Sequence, residues 1–322
     1  MDEPIRPTPR ARLAASLQCL LVTVLWATSW VLIEVGVDDM ELAPIGFAGV
    51  RYALAAALLA PLGWRALRRA GKDHEPIDRA LLVRVAILGI AFYTLAQGAQ
   101  YVALAVLPVA TLGLLLASIP AWVAIVAALR GEEAADRAQL AGIAAILAGA
   151  LLYFGAGAVA LPPLVALGFL AAAVCIAAST AGTHLSRDLA RDALARVGGA
   201  TGLTAGSMAI GGVALLAIGV AVEGFPALDA RGWAIVGWLA AVNTAFAFTL
   251  LNHTLRVLTA VEVSAIVNLL PIIVALLAWL VLGQPLGPLH LAGIALTAGG
   301  AAAVQLVPVL RRRGRRGDER PA

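Results

Sequence analysis

Apolar runs of about twenty residues alternate with short polar connections along the 322-residue chain, and the pattern recurs ten times. A bilayer hydrocarbon core of roughly 30 Å takes about 20 residues of helix, and lipid admits only helices or closed barrels, because every backbone polar group must be satisfied internally. The runs predict an all-α membrane protein with spans at Leu13–Val37, Ile45–Trp64, Val85–Leu104, Val109–Leu129, Leu140–Ala158, Leu164–His184, Ala200–Val222, Trp233–Leu255, Thr259–Leu282 and Leu289–Val309. The first run lacks a small-residue cleavage site before Asp38 and Asp39, so it is read as a retained helix rather than a signal peptide.

The charged positions orient these spans. Short loops rich in Arg and Lys stay on the cytoplasmic side. With the N-terminus inside, 21 of the 23 basic residues fall in cytoplasmic segments; Arg231 lies in an outer loop and Arg51 inside the second span. Adding or losing one span would put several basic clusters on the wrong side. Both termini are therefore expected in the cytoplasm, with the chain in a bacterial inner membrane. The basic tail from Arg311 reads as a solvated stop beside anionic headgroups rather than a nucleic-acid site.

The pattern also repeats. Shifting the sequence by 151 residues lays Leu140, Ala141, Gly142, Ile143 and Ala144 on Leu291, Ala292, Gly293, Ile294 and Ala295, Gly149 on Gly300, Pro120 on Pro271 and Leu104 on Leu255. The halves are 13–158 and 164–309, between a cytoplasmic arm (1–12) and a basic tail (310–322). Five spans per half is an odd number, so the second half enters the membrane with opposite polarity, an inverted repeat of the kind that opens one central site to each side in turn.

Composition agrees with lipid as solvent: 61% hydrophobic and 13% charged residues leave too little polar surface for a water-soluble domain of this length. It also narrows the chemistry. Cys19 and Cys175 fall within apolar runs, and His74, His184, His253 and His290 are scattered rather than spaced as metal ligands. No phosphate-cradling glycine loop is present, so no cofactor or metal is expected and transport would draw on a solute or ion gradient.

Polar and aromatic groups at membrane depth mark candidate sites, since each costs free energy without a partner, water or a solute. Tyr93, Gln97, Gln100 and Tyr101 are spaced to share a helix face, and Tyr93, Gln97 and Tyr101 map onto Thr244, Phe248 and Asn252. Such stripes, facing each other, would bound a cavity for a zwitterionic or amphipathic solute; they would equally serve interhelical hydrogen bonds. Trp26 and Trp30 suggest a pocket wall or plain packing. Asn268 stands near Pro271, which with Pro120 is expected to hinge or kink its helix at the pocket, a tolerated break being the alternative. Glu34, Glu262 and Arg51 are the charged groups at or within spans, the ones able to take up a coupling proton or meet a charged substrate. Glu34 and Glu262 read rather as solvated helix ends, and Arg51 as a partner for an acid such as Glu34.

Taken together, Leu25–Trp30 (LWATSW), Arg51, Tyr101–Leu104 (YVAL) with Pro120, Gly131-Glu132, then Asn252, Ser264, Pro271 and Leu282-Gly283 with Gly293 resemble the EamA-type branch of the drug/metabolite transporter superfamily. The chain departs from that pattern at Gln284, where relatives commonly carry Glu, and at Glu34, where many carry a basic residue. The resemblance implies ten helices, a central pocket and frequently export of amino acids, metabolites or drugs. The expected function is secondary transport of a small molecule; a membrane scaffold or intramembrane enzyme is the alternative. Whether the chain is a monomer or a homodimer stays open.

Overall fold

The computed structural model describes residues 8–73, 76–131, 137–154, 163–254, 257–258, 260–267, 269–284 and 286–318. Among the described residues all regular structure is helical. The first half comprises α1 (Pro9–Glu34), α2 (Pro44–Asp73), α3 (Arg79–Gly89), α4 (Gln97–Leu104), α5 (Val109–Leu116), α6 (Ile119–Leu129) and α7 (Arg137–Phe154). The second comprises α8 (Pro163–Asp192), α9 (Gly199–Glu223), α10 (Ala230–Ala240), α11 (Ala247–Thr254), α12 (Ala260–Val267), α13 (Leu270–Leu282) and α14 (Pro288–Asp318).

The sequence offset reappears in the elements. α3 and α10 begin and end 151 residues apart, as do α5 and α12, and the starts of α6 and α13 and of α7 and α14 keep the same spacing. A π-helical turn follows α3 at Ile90–Ala96 and another follows α10 at Ala241–Phe246. Even the start signal repeats: Asp78 accepts from the Leu81 N–H and Asp229 from the Gly232 N–H, both at 2.7 Å, filling orphan donors of α3 and α10. Asp78 also meets Arg196, and the Leu81 N–H and that guanidinium hold its carboxyl below the usual range. Asp229→Ala is expected to cost about 1 kcal/mol, read as a small drop in melting temperature of the detergent-solubilised protein.

Seven helical stretches among the described residues are long and apolar enough to cross a membrane: Arg10–Asp39, Pro44–Gly71, Arg79–Leu104, Val109–Leu129, Pro163–Asp192, Gly199–Glu223 and Ala230–Leu251. Leu270–Leu282 and Pro288–Ala303 are shorter apolar helices, and α7 lies where the fifth span is expected.

Packing exchanges partners between the halves. α2 runs against α9 and α7 against α14; α1 packs on α11 and α13 just as α8 packs on α4 and α6. Small residues permit the close approaches. A Cβ on Gly49 would lie 2.5 Å from the Leu216 Cα, and one on Gly300 would lie 2.5 Å from the Gly142 carbonyl oxygen. At the start of α2, Glu223 reaches over from α9 to accept from the Ile45 and Gly46 N–H groups at 3.3 and 2.7 Å.

One expectation is refined here and one corrected. The fourth and ninth runs are broken helices: α5 stops at Leu116 and α6 starts at Ile119, while α12 stops at Val267 and α13 starts at Leu270. Pro120 and Pro271 occupy the second position of α6 and α13, where the missing N–H is tolerated, so the interruption precedes each proline instead of kinking a continuous helix. Glu34 is not a solvated helix end either, being buried at 8% exposure.

Candidate functional site

The helix breaks open onto a cavity between the halves. Its volume is about 250 Å³, and its wall is drawn from α1, α4, α5 and α6 of the first half and α8, α12, α13 and α14 of the second. Leu116 and Pro120 line it from one side and Val267 and Pro271, their counterparts at the 151-residue offset, from the other. A proline has no N–H to return to the carbonyl four residues earlier. The carbonyls of Leu116 and Val267 are thus relieved of that helical bond at the cavity wall. Polar character comes from Gln97, Gln100 and Ser179, beside Trp30 and Cys175, and among the described residues no charged side chain lines the space.

Of the predicted residues, Trp30, Gln97, Gln100, Pro120 and Pro271 meet in this cavity. Trp26 and Phe248 form a tilted pair, ring centroids 5.5 Å apart, away from the lining. Tyr93 is separated from its predicted stripe: its ring lies tilted against Tyr52, centroids 5.6 Å apart, and its Cβ would lie 2.9 Å from a Cβ on Gly211 of α9. The cause is the π turn at Ile90–Ala96, whose extra residue rotates Tyr93 out of register with Gln97. Asn252 stands in α11, but its side chain, like the whole of Asn268, lies outside the described residues.

Arg51 does not pair with Glu34. It is buried behind the cavity wall, where Nε and Nη2 donate to the Thr244 hydroxyl at 3.2 and 3.1 Å, Nη1 to the Tyr101 hydroxyl at 3.0 Å and Nη2 to Ser29 at 3.3 Å. The guanidinium also sits 5.1 Å from the centroid of the Tyr52 ring. Tyr101 and Thr244, predicted from opposite halves, are therefore joined through Arg51 rather than across open space.

Glu34 closes a different contact. Its carboxylate accepts from the Val109 N–H at 3.0 Å and from the Gln284 amide at 2.7 Å, tying the end of α1 to the start of α5 and to the turn after α13. The two departures from the family pattern thus touch one another. At the opposite end of α1, Arg12 forms an ion pair with Glu262 of α12, so Glu262 is engaged rather than merely solvated.

Sequence reasoning missed Tyr52, which donates to Gln97 Oε1 at 2.6 Å, and Asn243, which donates to the Leu25 carbonyl and to Thr28. It also missed Cys175 and Ser179 as lining residues; their four-residue spacing on α8 was the available signal.

Two segments of the chain, residues 13–155 and 164–306, each match the EamA-like transporter family. The chain belongs to that family. Both boundaries of the second match lie 151 residues beyond those of the first, the offset seen in the elements. This EamA-like chain is a multi-pass membrane protein of transporter class. A solved structure titled "Crystal structure of protein" is similar in fold, with 21% identity, a TM-score of 0.62 and coverage of 91% of this chain and 97% of that one. No curated protein matches the chain.

Proposed function

We propose that this EamA-like protein is a secondary transporter that moves small polar organic solutes by alternating access at the cavity between its halves, working in a bacterial inner membrane in the export direction. In this reading the chain crosses the membrane ten times, as two five-span repeats of opposite polarity, with both termini cytoplasmic. The repeat of elements at 151 residues and the exchanged packing of α1 and α8 support two copies related by a pseudo-twofold. The distribution of Arg and Lys supports the orientation.

The observation that carries the reading is the cavity itself, bounded by two broken helices at matching positions of the repeat. Broken helices at membrane depth are tolerated where they line a cavity, and in transporters they flank the solute site. A volume of about 250 Å³ falls below the roughly 300–1,000 Å³ of pockets that hold drug-sized ligands, which favours amino acids and metabolites over drugs. The Glu34–Gln284 and Arg12–Glu262 contacts join the halves at opposite ends of α1 and are suited to make and break as the cavity changes sides.

The test is counterflow of radiolabelled amino acids and small metabolites in proteoliposomes, with and without a pH gradient. Wild-type protein is expected to exchange at least one solute class, and Gln97→Leu combined with Gln100→Leu to slow that exchange about tenfold or more while the protein still melts cooperatively. Absence of exchange for every class, or full exchange by the double variant, would count against the cavity as the site.

A further inference from the structure

The charge behind the cavity wall carries a further step. Arg51 lies on the third turn of α2, 5% exposed, and the acceptors it meets are hydroxyls. Among the described residues no carboxylate pairs with it; Glu34 is occupied by Val109 and Gln284, and Glu262 by Arg12. A buried cation at membrane depth costs several kcal/mol unless an anion or water compensates it, and hydroxyl dipoles offset only part of that. The charge is therefore placed but not neutralised.

Its hydrogen bonds are also incomplete. A guanidinium has five N–H donors. The Nε hydrogen goes to Thr244, the Nη2 hydrogens to Thr244 and Ser29, and one Nη1 hydrogen to Tyr101. The second Nη1 hydrogen has no acceptor among the described residues. Neither does the Tyr101 hydroxyl proton, since that oxygen is engaged only as the acceptor from Nη1. Two unspent donors thus stand side by side, the arrangement that an oxyanion accepts.

These groups adjoin the cavity lining along the chain and through one side-chain contact. Ser29 precedes Trp30, Tyr101 follows Gln100, and Tyr52, whose ring lies against the guanidinium, is bonded to Gln97. Trp30, Gln97 and Gln100 all line the cavity, so a shift of the Gln97 side chain, with loss of its bond to Tyr52, would open the solute space toward the Tyr52 ring, and movement of that ring in turn would open it to the guanidinium 5.1 Å away.

We propose that Arg51, with the Tyr101 hydroxyl, is the counter-charge for a carboxylate on the transported solute. The proposal rests on the transporter reading and narrows its solute class to small carboxylates, amino acids included. On binding, the solute oxygens accept from the free Nη1 hydrogen and from Tyr101, and the buried cation gains the anion that the protein itself does not supply. Gly202 occupies the position equivalent to Arg51 in the second half, so the repeat provides one such site and not two.

The test compares amino acids and small hydroxy acids with their carboxyl amides, using the full chain, by counterflow in proteoliposomes and by solute-induced melting shifts in detergent. Wild-type protein is expected to prefer the free carboxylates by about tenfold or more, the usual effect of a charge-assisted contact. Arg51→Gln should remove that preference, leaving the solute-free melting temperature unchanged or raised because an uncompensated charge is gone; Arg51→Lys should keep part of it. Equal handling of carboxylates and amides by wild-type protein overturns the proposal with no variant needed and leaves the transporter reading standing. Loss of melting temperature in Arg51→Gln with the preference intact also overturns it, and assigns Arg51 to bracing Thr244 against Ser29 and Tyr101. If wild-type protein exchanges no solute, the transporter reading fails; the melting shifts then decide the carboxylate site alone, and no shift with any carboxylate overturns that as well.

Discussion

Alanine at Gly211 is expected to destabilise the protein by about 3 kcal/mol or more, at the upper end of what overpacking costs. A Cβ there would lie 2.1 Å from the Gly89 carbonyl oxygen and 2.6 Å from its carbon, and one on Gly89 would lie 2.3 Å from the Ser207 carbonyl oxygen. These are backbone atoms of α3 and α9, so no rotamer change relieves the clash and the helices themselves must separate. The crossing lies immediately before the π turn at Ile90–Ala96, and Thr94 in that turn donates to the Gly211 carbonyl at 2.8 Å. Separation would therefore also disturb the segment that orients α4 toward the cavity. Gly237→Ala is the control: nothing lies within 4 Å of its Cβ position, and alanine favours a helix over glycine by up to about 1 kcal/mol. Thermal melting of the two variants in detergent separates the cases. A Gly211→Ala protein that melts with wild type would show that the α3–α9 crossing is looser than its backbone distances imply.

The second large effect belongs to the Glu34 contact. Glu34→Lys would set an ammonium against the Val109 N–H and the Gln284 amide, donors that now converge on a carboxylate. The expected cost is about 3 kcal/mol or more, since two buried donors lose their acceptor and an unpaired ammonium takes its place. Gln284→Glu alone would bring a second carboxylate to Glu34 and is also expected to destabilise. Combined, the two changes create an opposite-charge pair across the same contact, so the double variant should recover much of the loss. A double-mutant cycle on melting free energies measures the coupling. Additive losses would mean that the two side chains act independently despite their 2.7 Å contact.

This contact shows where sequence reading stopped. Glu34 and Gln284 stood out separately as departures from a family pattern, 250 positions apart. Hydropathy placed Glu34 at a helix end and hence in water, because a one-dimensional profile has no term for another segment folding over that end. Arg51 was legible as a buried charge, but its partner was misassigned for a related reason: the nearest acid in the sequence pattern was chosen, whereas Ser29, Tyr101 and Thr244 from three other elements surround it. The stripe of Tyr93, Gln97, Gln100 and Tyr101 assumed a uniform 3.6-residue period. The π turn at Ile90–Ala96 adds one residue, which leaves Gln97 and Gln100 on the cavity and turns Tyr93 toward α9.

The sequence by itself determined the helical class, the duplication at 151 residues and the location of the two helix breaks near Pro120 and Pro271. The first and last follow from local physics, apolar length against bilayer thickness and a proline that lacks a donor, and the duplication stands in the residues that recur at that offset. Tertiary structure decided which polar groups meet. Whether a buried side chain faces a cavity, a hydroxyl or a neighbouring backbone depends on helix rotation and on close crossings such as Gly89–Gly211 and Gly149–Gly293, which bring together residues more than a hundred positions apart. Those crossings are set by steric fit between whole helices, a property that no single run of the chain contains.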